Sequence, residues 1–79
     1  MKLTVLYFGQ VRAAMGSAAR EIETECRTAG ELFDQLKIAA ICGLSKTQVK
    51  PAINETFASH DMTLHEGDTV AYLPPVCGG

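Results

Sequence analysis

The apolar residues of this chain recur in two different spacings. From Lys2 to Phe8 they follow the period of a strand: Leu3, Val5 and Tyr7 point one way, Thr4, Leu6 and Phe8 the other. Both sides are mostly apolar. Such a strand is either covered on both faces or shows Leu6 and Phe8 to a partner. Gly9 ends it. Gln10 to Met15 has room for one or two helical turns, with Val11, Ala14 and Met15 inward, Arg12 outward and Gly16 as the stop. Arg20 to Glu25 sets Ile22 and Thr24 among charges, as a short edge strand does. The run Ala18-Ala19-Arg20-Glu21 is also compatible with a helix.

The helical spacing comes next. Thr28-Ala29-Gly30-Glu31 reads as a capping box, in which the Thr28 hydroxyl accepts from the third helical amide and Glu31 reaches back to the cap amide. The helix is expected to run to about Ile41, burying the stripe Leu32, Phe33, Leu36, Ala39 and Ala40. Glu31, Asp34, Gln35 and Lys37 take the other face, and Gly43 is the stop. No other long helix is expected. Pro51 to Asn54 reads as a short strand, Asn54-Glu55 as a turn, and Thr56 to Ala58 as a strand pairing back. His60-Asp61 and His65 to Asp68 are turn-like. Thr69 to Leu73 is the last strand, with Val70 and Tyr72 on one face, Ala71 and Leu73 on the other, and Pro74-Pro75 stopping it.

This order predicts an α+β domain: a mixed sheet with one main helix laid across one face. If the first two strands form a hairpin and the last returns beside the first, the fold is a β-grasp. The expected division is a domain over residues 1–73 and an extended tail over 74–79.

Composition narrows the classes. Seventy-nine residues make one domain, which buries roughly 60% of its unfolded surface. With 47% hydrophobic and 20% charged residues the chain is far from disordered composition. A net charge of −2, with Lys37, Lys46 and Lys50 scattered, argues against nucleic acid or an anionic membrane as partner. Cys26, Cys42 and Cys77 form no CxxC pair, and neither His60 nor His65 stands at a ligand spacing from them, so no metal site and no disulfide framework is expected. The opening Met-Lys-Leu-Thr-Val-Leu-Tyr-Phe reads as a strand rather than a signal peptide. No apolar run approaches the ~20 residues of a membrane span. A reduced, cytoplasmic protein is the expectation.

The candidate chemistry lies in the tail, Pro74-Pro75-Val76-Cys77-Gly78-Gly79. Two prolines fix φ, cannot continue a ladder and hold the chain extended. Two glycines without a Cβ can enter a channel closed to other residues. The group presented is the Gly79 carboxylate. At neutral pH it is an anion with no leaving group, so it must be activated, most simply as an acyl-adenylate made from ATP. A sulfur nucleophile then displaces AMP and leaves a thiocarboxylate. The domain itself supplies none of the catalytic groups.

The chain resembles the small subunit of molybdopterin synthase, the ubiquitin-like sulfur carriers of the MoaD family. The resemblance rests on Val5 to Arg12, on Ala52-Ile53-Asn54, and on the block from Glu66 to Gly79. It implies a β-grasp and a cycle. An E1-like enzyme adenylates Gly79, which becomes a thiocarboxylate. The tail residues Pro74, Pro75, Val76, Cys77 and Gly78 then enter a large subunit, where sulfur passes to cyclic pyranopterin monophosphate; two transfers build the molybdopterin dithiolene. The resemblance further implies a heterotetramer of two large and two small subunits. No cofactor is expected on the isolated chain, ATP being consumed by the activating enzyme. Phe8, Arg12 and Leu73, with Phe57, match positions of the family's docking face. Cys77 departs from the small hydroxylated or aliphatic residue often found there. Alternatives are a sulfur carrier for thiazole or tRNA thiolation, a ubiquitin-like protein modifier, and an interaction domain with an inert tail.

Overall fold

Eight elements follow one another in the computed structural model, which describes residues 1–75: β1 Lys2–Tyr7, α1 Gly9–Met15, β2 Ala19–Glu23, α2 Ala29–Gln35, α3 Ile38–Cys42, β3 Lys50–Ile53, β4 Thr56–Phe57 and β5 Thr69–Leu73. The strands form one sheet in the order β2-β1-β5-β3-β4. β1 and β2 are an antiparallel hairpin carrying α1 in its connection, and β5 returns parallel to β1, Val5 opposite Val70 and Tyr7 opposite Tyr72. This is the β-grasp arrangement. Ala18–Glu21 is resolved in favour of strand, since Ala19 to Glu23 pair with β1.

Alternation decides which face is covered. Leu3, Val5 and Tyr7 of β1 and Val70 and Tyr72 of β5 are buried beneath Val11, Leu32, Phe33, Leu36 and Ile38 of the helices. The Phe33 ring lies 6.0 Å from that of Tyr72. Fully burying an aliphatic or aromatic side chain is worth about 1.5–3 kcal/mol, so this layer dominates the fold.

The expected single helix is in two pieces. α2 begins at the Thr28 cap, whose hydroxyl accepts from the Glu31 amide at 3.1 Å. Glu31 reaches back as a capping box requires, but to the Arg27 amide, one residue ahead of the cap. The helix ends at Leu36, and Lys37 takes a left-handed conformation, φ 61°. The break rotates the chain so that Ile38 is fully buried while Ala39 and Ala40 are exposed, the reverse of the expected stripe. A left-handed L-residue costs about 1–2 kcal/mol. Burying isoleucine instead of alanine recovers a similar or larger amount.

A second correction concerns His60. It stands in a turn, as expected, but its ring is half-buried and bonded rather than free in solvent. Its Nε2 stands 2.9 Å from the Lys46 carbonyl and 2.8 Å from the Val49 carbonyl, so that nitrogen carries the hydrogen. Its ring packs edge-on to Phe33. His65, by contrast, is exposed. Glu66 and Asp68 serve the turn before β5: Glu66 accepts from the Lys2 amide and Asp68 from the His65 amide.

Candidate functional site: the open sheet face and the root of the tail

The face of the sheet opposite the helices has no covering layer among the described residues. Strand register lines up one apolar row across all five strands: Ala19 of β2, Leu6 of β1, Ala71 of β5, Ala52 of β3 and Phe57 of β4. The two central alanines make the row low in the middle. Leu6 and Phe8 rise on one side, Phe57 on the other, and Leu73 follows Ala71 toward the tail; together they line a shallow depression. Phe8 is 43% exposed and Phe57 72%. Large apolar side chains this open suit a protein interface.

Three of the four expected docking residues, Phe8, Phe57 and Leu73, are therefore brought together. Arg12 is not among the residues lining the depression. It stands on α1 one turn beyond Phe8, its amide donating to the Phe8 carbonyl at 3.1 Å, with its side chain exposed. Ala52 and Ala71 were not expected as site residues, whereas Leu6 was named with Phe8 as a residue β1 could show to a partner. The alternation in β1 and β5 placed Leu6 and Ala71 on the right face, but the row exists only through strand register.

The far margin is held by the β3–β4 turn. Asn54 and Glu55 both have positive φ, 50° and 71°, the geometry of a two-residue hairpin loop matched to strand twist. The Asn54 amide group donates to Asp68 at 2.9 Å, and its side-chain oxygen accepts from the Thr69 amide at 3.0 Å. This pair clips β4 and Phe57 to the start of β5.

At the other end of β5 the chain leaves through Pro74 and Pro75. Pro74 sits against Gly9, the first residue of α1, and a groove between Lys50, Phe57, Leu73 and the two prolines continues the open face to this point. The tail residues Val76, Cys77, Gly78 and Gly79 lie outside the described residues. The two other cysteines, Cys26 and Cys42, are half-buried and free, and burial pushes the Cys42 thiol up. Among the described residues no three His, Cys, Asp or Glu side chains are placed to hold a metal ion, and no helix is long and apolar enough to cross a membrane.

Comparison with known proteins agrees with this geometry. The model of the ThiS family matches residues 5–79. The molybdopterin synthase sulfur carrier subunit of Mycobacterium tuberculosis is 37% identical, over 100% of this chain and 99% of its own. That of Escherichia coli is 34% identical, over 98% of this chain and 99% of its own. Among solved structures, a chain of the complex of subunits 1 and 2 of molybdopterin-converting factor from Helicobacter pylori superposes with a TM-score of 0.65 at 27% identity, with all of both chains covered. SAMP1 from Haloferax volcanii superposes with a TM-score of 0.77 at 18% identity, again over both whole chains, which speaks to fold alone. The β-grasp sheet, its open apolar face and a match running to the last residue together make this chain a member of the ThiS family.

Proposed function

We propose that this chain is the sulfur-carrying small subunit of a molybdopterin synthase. The observation that carries the reading is the end-to-end similarity, at 34% and 37% identity, to curated sulfur carrier subunits of that enzyme. The open face and the proline-rooted tail are what such a role needs: a docking patch and an arm beside it.

In this reading the Gly79 carboxylate attacks the α-phosphorus of ATP on an E1-like enzyme, forming the acyl-adenylate and releasing pyrophosphate. A sulfide-equivalent nucleophile adds to the acyl carbon and expels AMP, leaving the thiocarboxylate. The tail then enters the large subunit of a heterotetramer, where sulfur passes to cyclic pyranopterin monophosphate. The thiocarboxylate sulfur bonds to a substrate carbon, displacing an oxygen substituent there. Water then attacks the Gly79 acyl carbon and breaks its C–S bond, leaving sulfur on the substrate and a carboxylate on Gly79. The chain contributes position rather than acid–base groups: the apolar row docks, the prolines keep the arm extended, and the glycines fit a narrow channel.

Removing Gly79 tests the reading. The shortened chain keeps its fold and its binding to the large subunit but forms no thiocarboxylate and supports no molybdopterin synthesis. A truncated chain that sustains synthesis rules the reading out. Isopeptide-linked adducts through Gly79 on cellular proteins, with no thiocarboxylate, would support the modifier alternative instead.

A further inference from the structure

Gly9 and Gly16 open and close the same short helix, and both have left-handed backbone, φ +53° and +77°. Their surroundings differ. A Cβ on Gly16 would meet nothing within 4 Å. A Cβ on Gly9 would lie 2.9 Å from Cγ and 3.7 Å from Cδ of Pro74, closer to Cγ than carbon atoms approach. The obstructing group is a rigid ring fused to the backbone, so it cannot swing aside as a long side chain would. Pro74 is also where the chain leaves β5, so any accommodation shifts the start of the tail.

We propose that Gly9 is a positioning residue for the reactive terminus: its missing side chain lets the Pro74 ring rest on the β1–α1 corner, and that contact sets the direction in which the tail leaves the sheet. The proposal rests on the sulfur-carrier reading for its functional consequence. The lever is long. Five residue steps lead from Pro74 to Gly79 and span at most about 18 Å. A tilt of about 10° at the root moves a fully extended tip by about 3 Å. At a reacting centre, a misplacement of about 1 Å can cost on the order of a hundredfold in rate.

Gly16 supplies the control, since alanine there meets the same backbone demand without touching Pro74. Gly9→Ala, Gly16→Ala, Pro74→Ala and the Gly9→Ala/Pro74→Ala double variant are compared in two measurements. The first is denaturant stability. The second is single-turnover sulfur transfer from preformed thiocarboxylate at saturating large subunit. Both glycine variants are expected to lose stability through backbone strain, Gly9→Ala the more because its Cβ also meets the Pro74 ring. Only Gly9→Ala slows transfer, by about tenfold or more. In the Pro74→Ala background, where the ring is gone, Gly9→Ala slows it by less than about twofold. Should Gly9→Ala fail to fold, Gly9→Asn replaces it, because asparagine tolerates this backbone region yet carries a Cβ. Transfer unchanged in Gly9→Ala, or slowed equally with and without Pro74, overturns the proposal.

A nuclear Overhauser contact between the Gly9 α-protons and the Pro74 ring in the unmodified protein stands apart from sulfur chemistry. Its absence overturns the proposal even if the chain carries sulfur. Its presence in a chain that forms no thiocarboxylate preserves the contact and rejects the sulfur-carrier reading.

Discussion

The Tyr72 hydroxyl donates to the Ala29 carbonyl at 2.7 Å, joining β5 to the first turn of α2, with both residues fully buried. Tyr72→Phe removes this bond while the Ala29 carbonyl keeps its place at the start of the α2 ladder, and it is expected to cost about 0.5–1.5 kcal/mol in denaturant unfolding. The same residue sets an alkaline limit. Burial is the largest cause pushing the Tyr72 phenol above its ordinary value, with the nearby Tyr7 adding to it, and burial also raises Tyr7. The folded chain therefore holds these protons more tightly than the unfolded chain. Stability from this source is fully present below the unfolded value of about 10 and falls as pH rises above it. Unfolding free energies measured from about pH 8 to 12 should be level at first and then decline. Tyr72→Phe should make the decline shallower, and an unchanged slope would remove Tyr72 as its cause. At this scale the sequence was partly legible. Thr28 and Glu31 announced a capping box, and Asp68 and Glu66 announced their turn. His60 did not announce its pocket, because its partners are the Lys46 and Val49 carbonyls, eleven or more residues away.

Lys37 shows why element boundaries were harder to read than elements. The residues from Leu32 to Ala40 carry a clean helical stripe and no glycine or proline. The break comes from competition between Ile38 and the two alanines for the core, which depends on what lies beneath. Lys37→Gly is expected to stabilise the domain by about 0.5–1 kcal/mol: it relieves the left-handed penalty and loses part of that gain to unfolded-chain entropy. A higher denaturation midpoint at an unchanged slope is the expected result. A lower midpoint would mean that the Lys37 conformation carries no strain. The strands were legible to within a residue or two from alternation alone. Their neighbours were less so: the β-grasp was a conditional expectation until β5 was found beside β1. The row Ala19, Leu6, Ala71, Ala52 and Phe57 is built from positions on five different strands and needs all four registers.

For the whole molecule, the open face and the tail root form one continuous surface, and this is where partner binding is tested. Phe57 is 72% exposed, so Phe57→Ala should leave stability unchanged while weakening binding to the large subunit, by about tenfold or more if it is an anchor. Ile41→Ala, equally exposed in kind but on α3, is the control and should bind normally. Equal affinity of both variants and the parent would remove the sheet face as the docking surface. The reading of the tail rests on residue type alone, and its last four residues lie outside the described residues. The contact of its root with the body was not legible, because Gly9 and Pro74 stand 65 positions apart in the chain. The central claim is that Gly79 carries the sulfur. Its most direct test is the intact mass of this chain after incubation with ATP, the activating enzyme and a sulfur donor. The account predicts exchange of one oxygen for sulfur at Gly79; an unchanged mass with an activating enzyme proven competent on a related carrier would contradict it.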